Sequence, residues 1–328
     1  MSRKGFTHAE LVIVIAIGAV LALVLLPACG VMTNARAARE RADCQSNLKQ
    51  FAIAFVMYAG ENQDQWPPMQ PFAKAPDAEE PAGEPIFAAP DPDAIYPDYV
   101  KDLSLARCPS EPDTMRSPQV PQGSIEGHLE AIEQMEEGEH RAQSLRYFRA
   151  AVLGQSYWYH GYDMKNVDEF YGVWNATGMA PFASETLDPP PTGTAPVQPP
   201  VRMKDWTTDL KLERKLPWSA NFGTGWNGSD TVKRLYQGIE RTMITDVNDP
   251  RAQVRAQSEI VVMFDAFGSP GPKIPGAGAG VMVFNHMPGG SNVLYMDGHV
   301  EFVEFGQKFP VLMDAEQGGI IDQVGQYG

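Results

Sequence analysis

From Leu11 to Cys29 the chain carries no charged residue, and this stretch constrains what it can fold into more than any other. A helix crossing about 30 Å of hydrocarbon needs about 20 apolar residues. Leu11 to Val31 supplies that length, with Gly18, Pro27 and Gly30 as its weak points. The predicted element is one membrane-spanning helix over about 11–31. Arg3 and Lys4 precede it, so the cytoplasmic bias of basic residues puts the N-terminus inside and the bulk of the chain outside. Glu10 stands at the head of the run, where an ionised carboxylate needs a partner or a watery edge. An acid in that position is a functional residue by default.

Gly5-Phe6-Thr7 separates the basic residues from the apolar run, which a removable secretory signal does not require. The stretch KGFTHAELVIVIAIGAVLALVLLPA resembles the prepilin-type N-terminus of type IV pilins and type II secretion pseudopilins, with His8-Ala9 where many members have Leu-Ile. The resemblance implies that an inner-membrane prepilin peptidase removes residues 1–5 by cutting between Gly5 and Phe6, methylates the new amine of Phe6, and leaves the hydrophobic helix on the mature chain. It also gives Glu10 a partner, the Phe6 amine of a neighbouring subunit docking into a growing fibre. The implied partners are the inner membrane, the peptidase and other pilin or pseudopilin subunits. The implied location is a single pass through the inner membrane, N-terminus cytoplasmic and head periplasmic, with the assembled fibre periplasmic or extracellular. Leu26-Pro27-Ala28-Cys29 resembles a lipobox and supplies the alternative, a surface-binding lipoprotein anchored at Cys29.

Beyond the apolar run come Arg36, Arg39 and Arg41, and then CQSNLKQFAIAFVMYAGENQDQWPP. Leu48, Phe51, Ala52 and Phe55 fall at i, i+3, i+4 and i+7, the stripe of a helix with one buried face. The helix is predicted to end between Gly60 and Asp64, before Trp66-Pro67-Pro68. Residues 6–64 thus form one stem, half membrane and half soluble, on the order of 75 Å long at a rise of about 1.5 Å per residue. Pro27 removes one intrahelical hydrogen bond and is predicted to kink or locally melt it.

The chain has 26 Lys and Arg against 41 Asp and Glu, a net charge of −15, and the acidic excess lies beyond residue 43. An acidic head excludes nucleic acid and anionic membrane surfaces as expected partners. The 28 prolines and 30 glycines point to a loop-rich β structure rather than a helical bundle. Residues 65–328 are read as the globular head. Asp64 to Asp98, rich in Pro, Ala and acids, reads as a surface connection, and Ser124 to Leu153 as a helix pair interrupted at Gly138. Gln155 to His160 reads as a buried aromatic strand, and LDPPPTGTAPVQPP as an extended linker.

The last third contains SEIVVMFDAFG and FNHMPGGSNVLYMDGHVEFVEF. These resemble the planctomycete-type pilin-like family with a C-terminal His-to-Asp-Gly motif, here His286 to Asp297-Gly298. Residues 110–205 match that family poorly and read as an insertion. From the residues alone, Asn292–Met296 and His299–Phe305 flank Asp297-Gly298 as a hairpin with a two-residue turn. Ile260–Phe264 is a further strand. The expected fold class is α+β: a long N-terminal helix, membrane half plus amphipathic soluble half, packed on an antiparallel β-sheet head with a large loop and helix insertion.

Three cysteines suit an oxidising compartment with one bridge. Cys29 lies in the membrane run, leaving Cys44 on the stem and Cys108 in RCPSEPD. A Cys44–Cys108 disulfide ties head to stem, and a stem cysteine with a later Cys-Pro recurs in the pilin-like family; two free thiols are the alternative. His286, His299, Asp265 and Asp297 are residue types that ligate metals, although histidines at a hairpin start and just past a turn ordinarily make structural hydrogen bonds. No HExxH, GxSxG, Walker or Rossmann pattern is present, so no enzyme and no required cofactor are expected. Asp246, Asn248 and Asp249 cluster the hard oxygen ligands that calcium prefers, as several major pseudopilins hold calcium in a head loop, while the same residues also make side-chain turns.

Overall fold

The computed structural model describes residues 8–69, 88–111, 124–164, 170, 173, 208–211, 231–242, 256–268, 283–286 and 289–311; for Glu10, residues 18–33, Lys211, Thr242, Gly268 and Val283 it describes the backbone alone. The expected cleavage site at Gly5 and Phe6, the Pro-rich linker and the Asp246, Asn248, Asp249 cluster lie outside the described residues. The expectations for the side chains of Glu10 and Cys29 do so as well.

The first element is a 54-residue helix, α1 (His8–Glu61). Its soluble half buries the predicted stripe: Leu48, Phe51 and Phe55 are fully inaccessible and Ala52 is buried with them, joined by Cys44 and Ala59 one turn to either side. The helix passes through Pro27 as one element. The locally melted turn expected there is not found, since proline removes a single hydrogen bond and its fixed φ is itself helical. The end falls where expected. Gln63 and Asp64 turn the chain with φ of 56° and 62°, and Asp64 N–H donates to the Ala59 carbonyl at 3.0 Å. Asn62 Nδ2 donates to the Tyr58 carbonyl at 2.8 Å, satisfying another orphan acceptor of the last turn.

After the stem, the described parts of 64–98, residues 64–69 and 88–98, do not stay on the surface, which corrects the reading of them as a surface connection. Trp66, Met69, Ala89 and Ile95 are buried, and the Trp66 ring lies 5.7 Å from that of Phe55. Proline and acidic residues mark this segment as irregular, but its few large apolar side chains still have a core to fill. A short helix, α2 (Pro92–Ile95), starts on Asp91, whose side chain accepts from Asp93 N–H. A 3-10 turn, Leu103–Ala106, is capped in the same way by Asp102 and delivers Cys108 to the stem. Then α3 (Ile125–Glu133), capped by Ser124, and α4 (Glu139–Leu153), opened by Gly138, form the predicted broken pair, with their acids exposed.

Strands β1 (Tyr157–Tyr159), β4 (Val261–Asp265), β7 (Gly290–Tyr295) and β8 (Val300–Glu304) form a four-stranded antiparallel sheet in the order β1-β4-β7-β8. Two small antiparallel pairs accompany it, β2 (Leu210–Lys211) with β3 (Thr231–Val232) and β5 (Phe267–Gly268) with β6 (Val283–Phe284). The molecule is therefore α+β. Every residue of β1, β4 and β7 is buried, because both sheet faces are covered. One face carries Tyr157, Tyr159, Met263 and Leu294 against α1, with Phe51 and Phe55 meeting the two tyrosine rings. The other carries Trp158 and Phe264 into an aromatic cluster with Phe170 and Phe267. Within 110–205, the described part is integral: Leu153 is in the core and β1 is an edge strand of the sheet.

The β7–β8 connection differs from the predicted two-residue turn. Gly298 N–H donates to the Tyr295 carbonyl and Tyr295 N–H to the His299 carbonyl, so three residues, Met296 to Gly298, form the loop. Gly298 at φ +86° supplies the left-handed residue that this turn-plus-bulge hairpin needs. At the far end of β7, Gly290 has no room for a side chain, since a Cβ there lies 2.3 Å from the Val303 carbonyl oxygen.

Candidate functional site

The stem, the segment after the 3-10 turn and the sheet meet at four buried, chemically active side chains. Cys44 comes from α1, Cys108 from the segment after Ala106, Asp265 from the end of β4, and His286 from just before β7, where it bridges Gly290. Cys44 is fully inaccessible and Cys108 is 5% exposed. Both are free thiols, with their Sγ atoms 2.7 Å apart. The fold thus brings together the two cysteines that the expected disulfide pairs.

His286 Nε2 lies 3.1 Å from Asp265 Oδ2 and 3.5 Å from Cys108 Sγ, with the His286 and Asp265 side chains each 1% exposed. Asp265 Oδ2 also accepts from Asn292 N–H at 2.9 Å and Asn292 Nδ2 at 2.8 Å. Gln45 on α1 closes the network by donating to Asn292 Oδ1 at 3.0 Å. Cys108 N–H donates to Ser156 Oγ, and Ser156 Oγ donates to Glu111. Asn47 donates to the Arg107 carbonyl and to the Tyr157 hydroxyl. Both cysteines are therefore seated by hydrogen bonds from their own neighbours as well as by packing.

The electrostatics follow from this geometry. Burial pulls His286 toward neutrality, but hydrogen bonds to Asp265 and Cys44, with the negative charge of each, raise it to about 9. The hydrogen bond from Cys108 lowers Cys44 to about 7 against the opposing effect of burial, with His286 assisting. Cys108 moves upward, through its hydrogen bond to Cys44, its burial and the nearby charges of Asp265 and Cys44. Burial raises Tyr157 beside them. One member of the pair is thus favoured as thiolate and the other as thiol.

Cys44, Cys108 and His286 bring donor atoms within 4.8 Å of one another. Two thiolates on one tetrahedral zinc stand about 3.8 Å apart for Zn–S bonds of about 2.3 Å, whereas these sulfurs are at 2.7 Å. Two clefts beside α1, one lined by Gln50, Ile53 and Leu105 and the other by Lys49, Val56 and Gln257, include none of the four.

Of the residues singled out from sequence, His286, Asp265 and the two cysteines come together. Asp297 and Gly298 sit at the opposite end of β7, where Asp297 pairs with His299 at the surface. The His-to-Asp-Gly motif thus marks both ends of one strand rather than one site, and the imagined four-residue metal set divides into two pairs. Asp265 and Asn292 as positioning groups were missed. Their signal is a polar residue within an otherwise apolar strand, VVMFD and SNVLY.

Among the described residues no helix is long and apolar enough to cross a membrane; side chains 18–33, on which the expected span at 11–31 largely rests, are not among them. Comparison of the chain with family models, curated proteins and solved structures gives no match. The prepilin and pilin-like resemblances rest on the residues quoted for them.

Proposed function

We propose that the chain is a structural subunit of a type IV pilus or type II secretion pseudopilus, cut between Gly5 and Phe6, held in the inner membrane by residues 11–31 and assembled through its N-terminal helix. The observation that carries this reading is α1. Its soluble half is built into the head, while Leu11, Val12, Ile13, Val14, Ile15 and Ile17 are each at least half exposed. A row of large apolar side chains open to water is unusual on a soluble monomer and needs lipid or a neighbouring subunit to cover it. Membrane storage followed by fibre packing supplies both covers in turn, and the prepilin-type residues around Gly5 supply the processing step.

In this reading Glu10 pairs with the methylated Phe6 amine of the next subunit and sets the register between them. The acidic head faces outward, and no catalytic group or cofactor is required. Glu10→Val tests it. The wild-type chain is expected in a fibre fraction sheared from cells, and the variant is expected to be processed but retained in the membrane. A fibre fraction indifferent to Glu10 contradicts the assembly role. Surface display abolished by Cys29→Ser and indifferent to Gly5 favours the lipoprotein alternative instead.

A further inference from the structure

We propose that Cys44 and Cys108 form a reversible dithiol–disulfide centre that exchanges with external thiol–disulfide couples, and that His286, positioned by Asp265 and Asn292, is the residue that keeps its bridge reducible. The inference does not rest on fibre assembly. It rests on two sulfurs 2.7 Å apart, one of them 3.5 Å from an imidazole nitrogen that is itself held 3.1 Å from a buried carboxylate.

An inert structural staple needs nothing beyond two cysteines in register. Here a buried ion pair has been brought to the same place, a costly arrangement for packing alone. The charged and titratable groups facing the pair are Asp265 from β4, Tyr157 from β1, His286 from the β7 entrance and Glu40 from α1, whose charge acts on His286. Of these only His286 is a cation. It opposes the carboxylate and favours charge on the neighbouring sulfur, which stabilises the reduced state and makes a disulfide easier to reduce.

The exchange balances with a small external disulfide such as oxidised glutathione. The pair is buried, so exchange proceeds through a local opening that admits the external disulfide; one thiolate then attacks it, forming a mixed disulfide and releasing the first external thiolate. The second cysteine, as thiolate, attacks the protein sulfur of that mixed disulfide, forming Cys44–Cys108 and releasing the second. Two protein thiols are oxidised, one external disulfide is reduced to two thiols, and the two protons pass to the released thiolates.

The test equilibrates the full-length chain in detergent with reduced and oxidised glutathione from pH 6 to 8.5, then traps free thiols by alkylation and counts adducts by mass. In the wild type the balance is expected to turn toward the dithiol above about pH 7, where Cys44 ionises. In His286→Gln it should shift toward the disulfide by a few-fold at pH 8, because the variant loses the histidine's share of the Cys44 shift while the larger share, the hydrogen bond from Cys108, remains. The thiolate absorbance transition should move upward in parallel. A merely structural histidine leaves both the equilibrium and the thiolate transition unchanged, which overturns the proposal. If the variant does not fold, the wild-type profile decides alone: no turn before pH 8.5 overturns it. A reduced chain that retains stoichiometric zinc and cannot be oxidised also overturns it, in favour of a metal site.

Discussion

His286 carries two obligations, one to a carboxylate and one to a sulfur, and its titration reports on the first of them directly. Asp265 holds its proton more tightly in the folded chain than water does in the unfolded one, so the folded value is the raised one, about 9 against an ordinary 6.5. The resulting stabilisation is complete below about pH 6.5 and is lost as the pH rises through about 9. In a Cys44→Ser, Cys108→Ser background, which removes the Cys44 share of that rise and leaves the Asp265 share, the urea midpoint should fall as the pH rises above about 6.5, by less than the ~3 kcal/mol equivalent of the full rise. Adding His286→Gln should flatten the profile. A midpoint that instead rises with pH shows that the ring is buried neutral, and the ion pair with it is lost.

At the scale of elements, the soluble half of α1 makes the sharpest contrast. Phe55 is fully buried, with Phe51, Trp66 and Tyr159 around its ring, whereas Val56, the next residue, is 48% exposed. Phe55→Ala should cost about 3–5 kcal/mol, and Val56→Ala no more than about 0.5 kcal/mol. Comparable losses at the two positions contradict the assigned face. Gly290→Ala should cost about 1–3 kcal/mol or more, because its Cβ meets the backbone of β8 at Val303 and Glu304 as well as the Phe302 ring, and the backbone cannot turn aside.

These elements were legible to different depths for a physical reason. The α1 stripe and stop, the break at Gly138, and strands β4, β7 and β8 follow from spacing and turn residues within a few positions of each other. The burial of Trp66 and Ile95 was not legible, since composition averages over a Pro- and acid-rich segment and hides two anchors. The hairpin loop length hung on one hydrogen bond to Tyr295. The cluster was half legible: the cysteines suggested each other across 64 residues, but Cys108 and His286 are 178 apart, and only the sheet brings them together.

For the whole molecule, the exposed apolar residues of α1 form two groups, Leu11 to Ile17 toward the N-terminus and Ile53, Val56 and Met57 beside the head. Among the described residues the exposed large apolar side chains lie on the helix, with Phe305, just past β8, as the exception. This is the distribution expected of a subunit that joins its neighbours through a stem. The central claim turns on whether that stem is kept, and the most direct measurement is the intact mass and N-terminal peptide of the protein extracted from its native membranes. The account predicts a chain that begins at Phe6 and is heavier by one methyl group. A chain that begins at a lipidated Cys29, with Glu10 and the exposed residues from Leu11 to Ile17 discarded, contradicts it.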